Sequence, residues 1–112
     1  MANIQDWAEQ TGCAITVCDR EGKVIYMNER SRLTFDKDGE TMLGKNMFPC
    51  HSEASRAKIS KMLSDGSVNC YTISKAGQKK MIFQSPWFKE GEIAGLVELS
   101  LPIPEQMPHY NR

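Results

Sequence analysis

Cys50 and His51 stand side by side ahead of an expected helix and form the most reactive-looking pair in the chain. A thiol at a helix N-terminus feels the positive end of the helix dipole, which favours thiolate and thus redox or thiol chemistry. The plainer reading makes Cys50 a small buried thiol and His51 an imidazole that caps or bonds backbone, and it is preferred. Cys13 and Cys18 lie within or beside one strand at an odd separation, which puts them on opposite faces and keeps them from sharing a metal easily. A zinc site needs four convergent ligands at short paired spacings, and the sequence offers none. It also lacks a Gly-x-Ser-x-Gly elbow, a phosphate loop and a His-Glu-x-x-His helix. No catalytic constellation emerges, so neither an enzyme nor a metal site is expected. Asp19 reads as a turn residue and His109 as solvated. Glu98 interrupts the apolar stretch 94–101 and reads as part of a solvated outer face, with an interface or pocket carboxylate as the alternative.

The elements that must carry these residues belong to one small domain of 112 residues. A chain of that size buries roughly 65% of its unfolded surface, enough for a core without staples. Hydrophobic residues make up 40% and charged residues 25%, which suits a soluble globular fold. Lys plus Arg and Asp plus Glu balance at 14 each, so nucleic acid is not an expected partner. No apolar run approaches the ~20 residues that span a bilayer, and the N-terminus does not read as a signal peptide. A cytoplasmic, reducing location with free thiols is therefore expected.

Ile4, Trp7 and Ala8 fall at i, i+3 and i+4, with Asn3 as a cap and Gly12 beyond the end, which predicts a short amphipathic helix in residues 1–12. Residues 14–18 and 23–28 read as strands joined by the Asp19-Arg-Glu-Gly22 turn, a hairpin. Asn28 begins a short helix to Phe35, and residues 41–48 form a broken or tight helical turn at Gly44. Ser52 caps a clearer helix with Ile59, Met62 and Leu63 on one stripe and Gly66 as its stop. Residues 67–74, 79–88 and 92–103 read as strands punctuated by Ala76-Gly77 and Glu90-Gly91. Pro86 implies a bend or an exposed edge in the second of these strands. Two strands, a helical block and three more strands give an α+β fold with an antiparallel sheet over residues 13–103. Residues 104–112, rich in proline, form an extended tail.

Five segments in order carry a family resemblance: Ala14-Ile-Thr-Val-Cys-Asp19, the Asp19-x-x-Gly22 turn, Lys23-Val-Ile-Tyr-Met-Asn28, Met42-Leu-Gly-Lys45 and Gly91-Glu-Ile-Ala-Gly95. Together they resemble a PAS domain over residues 13–101. The resemblance implies a five-stranded antiparallel sheet with short helices over one face, a ligand pocket between the two layers, and dimerisation helped by an N-terminal segment. The Pro49-Cys50-His51 element is similar to a subset of bacterial PAS domains. Flavin-binding relatives carry Gly-x-Asn-Cys, but here Gly44-Lys-Asn46 is followed by Met47, and the flavin-contacting Gln and Asn fall at Val97 and Thr72. Flavin is disfavoured on that ground. Covalent c-type haem needs Cys-x-x-Cys-His, which Met47-Phe-Pro-Cys50-His51 does not supply. Non-covalent haem held by His51 stays open, and the cofactor is otherwise unknown.

Register transferred from the family puts Thr16, Cys18, Cys70, Thr72, Ile82, Gln84, Val97 and Leu99 on the helix-covered face. With Cys50 and His51 these are the pocket candidates. The same transfer puts Ile15, Val17, Tyr71, Ile73, Met81, Phe83 and Leu96 on the outer face. That face is too apolar to sit in water, so either the register is off by one, which swaps every side chain, or the face is an interface covered by the helix of Trp7 and a second subunit. The expected function is signal sensing, through a small ligand or a partner, with output through homodimer or protein–protein contacts. A ligand-free interaction module is the alternative, and a haem or thiol sensor on His51 or Cys50 the less favoured one. With no effector after residue 112, output would pass to a separate signalling protein, or the sequence is a piece of a longer chain.

Overall fold

Asp19 closes the first hairpin as its residue type predicts: its Oδ1 accepts from the backbone N–H of Glu21 at 3.0 Å and of Lys23 at 2.9 Å. The computed structural model describes residues 6–47 and 52–112. Cys50 and His51 therefore lie outside the described residues, as do Asn3 and Ile4 of the proposed N-terminal helix. The elements run α1 (Asp6–Gln10), β1 (Ala14–Asp19), β2 (Val24–Met27), α2 (Glu29–Phe35), α3 (Glu53–Asp65), β3 (Asn69–Lys75), β4 (Gln78–Lys89) and β5 (Glu92–Pro102). All pairings are antiparallel and the sheet order is β2-β1-β5-β4-β3. The first and last strands, β1 and β5, thus pair inside one five-stranded sheet of an α+β fold, with α2 and α3 packed on the sheet and α1 packed against α2.

Helix ends follow the sequence closely. Asn28 caps α2 by accepting from Ser31 N, Ser52 caps α3 by accepting from Ser55 N, and Gly66 ends α3 in the left-handed region at φ 76°. Residues 41–47 make a tight turn and no helix. Lys45 N bonds Met42 O at 3.0 Å, while Gly44 N and Lys45 O bond Val24 at 2.8 and 2.9 Å. The segment satisfies its backbone on the edge of β2, so it needs no helical ladder. The core joins Cys18 and Leu96 of the sheet to Ile59, Met62 and Leu63 of α3, with Met47 and Ile93 packed against it.

Two turns and one bulge set the faces of the sheet. Ala76-Gly77 is a two-residue loop with both φ positive, at 51° and 78°, so β3 and β4 partners have opposite parity: Cys70 with Phe83, Tyr71 with Ile82, Thr72 with Met81. Cys70 and Thr72 therefore share the outer face with Phe83 and Met81, and Tyr71 and Ile73 turn to the helix side, the reverse of the expected assignment. Glu90-Gly91 is a second such loop, with φ 53° and 81°. An uninterrupted hairpin from it would pair Gln84 with Val97. A bulge beside Trp87 and Phe88 shifts the ladder by one, so Gln84 faces Glu98, Phe83 faces Leu99 and Pro86 faces Leu96. Val97 and Leu99 are thus on the outer face, and Leu96, expected there, is 5% exposed in the core. Glu98 is on the helix side and not on a solvated face. A one-residue shift moves every side chain of a strand across the sheet.

The outer face still comes out apolar, with a changed membership. Ile15 lies beside Leu99 and Val17 beside Val97, with Phe83 and Met81 on the next strand, all half-buried. Pro86 sits two positions past the end of the β3 ladder, where β4 has an open edge that tolerates a missing N–H.

Candidate functional site

Thr16, Gln84 and Glu98 form a polar row across the helix-facing side of three adjacent strands. They line a cavity of about 430 Å³ between the sheet and the segment from α2 to Met47. Its apolar walls include Cys18, Val24, Met27, Phe35, Met42 and Leu96. The row continues onto the edge strand. Asn69 Nδ2 donates to Gln84 Oε1 at 3.0 Å, and Gln84 Nε2 donates to Glu98 Oε1 at 2.8 Å. An ionised carboxylate only accepts, so Glu98 at the head of this relay fixes which end of the Gln84 amide faces it. Gln84 is 6% exposed, and both ends of its amide are satisfied, as burial requires.

The cavity connects to the N-terminal elements through short hydroxyl and amide contacts. Thr16 Oγ1 and Ser31 Oγ are 2.6 Å apart, which joins the cavity wall to α2. Asn28 is fully buried and bonds four backbone groups. Its Oδ1 accepts from Ile15 N and Ser31 N, and its Nδ2 donates to Ala8 O and Cys13 O, each at 2.9 Å. One amide thus ties α1, β1 and α2 together. Glu9 of α1 accepts from Arg32 and, at 3.0 Å, from Tyr26 Oη. The Arg32 guanidinium holds the Glu9 carboxyl below its ordinary pKa.

The electrostatics of the cavity follow from burial. Desolvation pushes the Cys18 thiol up, with further help from the carboxylates of Asp19 and Glu98. Tyr71 is raised by burial first and by the Glu98 charge second. A raised thiol carries little thiolate near neutral pH, so Cys18 serves the packing and reacts slowly.

The structure brings together Thr16, Cys18 and Gln84 of the ten pocket candidates, and keeps Ile82 on the same face but outside the cavity lining. Val97, Leu99 and Thr72 face the other way, which also takes the two flavin-equivalent positions off the pocket side. Cys70 pairs with Phe83 on the outer face, yet its place on the edge strand brings it to the rim of a smaller hollow of about 270 Å³ beside α3. Ile15, Val17, Met81 and Phe83 lie on the outer face, while Trp7 is 69% exposed. Glu98 takes the alternative reading, a pocket carboxylate, and Asn69 is a member of the polar row that the sequence did not single out. The available signal was a polar side chain at paired positions on two apolar strands. Among the described residues no group of three or more metal-ligating side chains comes together. Of the described residues only His109 carries an imidazole, and it is exposed in the tail, so no described imidazole reaches the cavity.

Comparison with known proteins agrees with this architecture. A family model described as PAS fold matches residues 8–106. A sensory box sensor histidine kinase from Vibrio cholerae superposes with a TM-score of 0.66 at 20% identity, covering 90% of each chain. The Aer2 receptor of the same organism, described as a dual PAS-haem oxygen sensor, gives 0.62 at 18% identity, covering 82% of this chain and 95% of that one. The Vibrio cholerae VqmA dimer gives 0.70 at 12% identity, covering 94% of this chain but 53% of VqmA. No curated protein sequence matches. No described helix is long and apolar enough to cross a membrane. With the family model spanning nearly the whole chain and the sheet order and helix placement in agreement, the chain belongs to the PAS family of sensory folds.

Proposed function

We propose that this chain is a cytoplasmic, non-catalytic sensing module. It binds a small organic molecule between sheet and helices and signals through a homodimer and a separate signalling protein. Residues 13–103 form the sensing domain, residues 1–12 an N-terminal helical lead, and residues 104–112 an extended tail. The observation that carries the reading is the cavity of about 430 Å³, apolar on its walls and polar along Thr16, Gln84 and Glu98. Its size falls in the range that holds one small molecule, and its mix of many apolar and few polar groups is what binding sites use to fix orientation. Thr16 and Ser31 give a bound molecule a direct mechanical link to α2, and Asn28 extends that link to α1. A homodimer is supported by the apolar outer face, because contiguous apolar surface of that kind marks an interface. The even charge balance argues against nucleic acid as the partner.

A ligand-free interaction module is the second reading, favoured by the same outer face. Native mass spectrometry with ultraviolet-visible spectra of the purified protein separates the two. A co-purified species at defined stoichiometry supports sensing. A clean apo mass, with no binding from a diverse small-molecule library, removes it in favour of the interaction module.

A further inference from the structure

Among the described residues Glu98 holds the one carboxylate that lines the cavity, and half of it is uncommitted. Its Oε1 accepts from Gln84, while Oε2 has no hydrogen-bond or ion-pair partner among the described residues. The other polar groups of the row are spent: Thr16 on Ser31, and the Gln84 amide between Asn69 and Glu98. Oε2 is not sealed from solvent, so it faces the open space of the cavity, where a charged donor can meet it in a charge-assisted hydrogen bond. Its charge is felt by its neighbours, since it helps raise both Cys18 and Tyr71.

Resting on the ligand-binding reading above, we propose that the cavity takes a small organic amine, protonated at neutral pH, whose ammonium group meets Glu98 Oε2 while its apolar body fills the space toward Phe35 and Met42. Lys37 and Lys75 also border the cavity, but both are exposed and their heads are solvated. Water weakens a charge at that position to about a quarter or less of its effect near a half-buried group. Glu98 therefore dominates the choice of charge deep in the site, and the lysines act only at the mouth.

The test uses three probes of one shape: 2-phenylethylamine, the neutral 2-phenylethanol and the anionic phenylacetate. Binding is followed by amide chemical shifts of the full chain and of Glu98→Gln, whose fold is checked by the same spectra. The amine is expected to bind at least about tenfold more tightly than the alcohol, with shifts at Thr16, Gln84 and Leu96, and to lose that margin in Glu98→Gln. Equal binding of amine and alcohol, tighter binding of phenylacetate, or an amine preference that survives Glu98→Gln overturns the amine assignment and leaves the cavity as a ligand site. Failure of all three probes in a well-folded protein overturns the assignment and counts against the ligand-binding reading as well. Should Glu98→Gln not fold, Glu98→Asp serves. It draws the carboxylate back by one methylene and should weaken the amine while sparing the alcohol.

Discussion

The indole Nε1 of Trp87 donates to the backbone carbonyl of Cys18 at 3.0 Å, across a strand that separates them. The contact exists because Gly95 lies between: a Cβ there would sit 1.9 Å from Cys18 O and 2.7 Å from Trp87 Nε1. The absent side chain leaves the room through which the indole reaches the β1 carbonyl, and the bulge lies next to Trp87. Gly95 is thus required by space and not by φ.

Gly95→Ala should cost about 2–3 kcal/mol or prevent folding, because backbone must move to admit a methyl. Trp87→Phe, which keeps the ring but drops the donor, should cost about 1 kcal/mol more than its lost area alone. Urea unfolding followed by circular dichroism measures both. A Gly95→Ala protein with an unchanged midpoint would refute the packing account.

Asn28 bonds four backbone groups with no exposed surface. Asn28→Ala should lose about 2–4 kcal/mol, since it removes a cap and strands buried donors and acceptors. Asn28→Asp should fare little better, for it keeps the acceptor but sets a carboxylate against the Ala8 and Cys13 carbonyls. If Asn28→Asp matched wild type in thermal unfolding, the two Nδ2 contacts would carry no weight.

Acid should loosen α1 before it unfolds the sheet. The Glu9 carboxyl is held below its ordinary 4.5 by Arg32. A depressed carboxyl contributes fully above that ordinary value, and its contribution falls away as pH drops through the lower folded value. Both partners are partly solvated, so the effect is small and salt-sensitive. Backbone chemical shifts of residues 6–10, followed from about pH 6 to 3, should move toward coil values early, and Glu9→Gln should abolish that early phase. Shifts of residues 6–10 that moved only together with those of β5 would count against a separate clasp.

The cysteines should separate by reactivity. Cys70 is exposed, Cys13 is half-buried, and Cys18 is buried with its thiol pushed up. Among these three, timed iodoacetamide labelling with peptide mass mapping should modify Cys70 first and Cys18 last, at least about tenfold slower. Equal rates would mean that the cavity wall opens readily.

A homodimer through the outer face would be broken by charge there. Val97→Lys places an ammonium between Val17 and Ser85 on that face. Sedimentation equilibrium should show a dimer for the native chain and a monomer for the variant, with unchanged circular dichroism. A native chain that stays monomeric at about 100 µM would remove the outer face as a self-association surface.

The sequence by itself determined where the elements lie. Caps at Asn28 and Ser52, the stop at Gly66 and the turns at Asp19–Gly22, Ala76-Gly77 and Glu90-Gly91 are local chemistry, and the structure has each of them in place. It also determined that the outer sheet face would be apolar. Which residue faces which side was decided only in the folded chain. The alternation of a strand has period two, so a single bulge beside Trp87 exchanges Val97 and Leu99 for Leu96 and Glu98 at the cavity. That bulge answers to a contact between β4 and β1 across Gly95, residues far apart in the chain, and no local pattern records it. Glu98 became a cavity carboxylate for the same reason: its neighbours in sequence say strand, and only its neighbours in space say pocket.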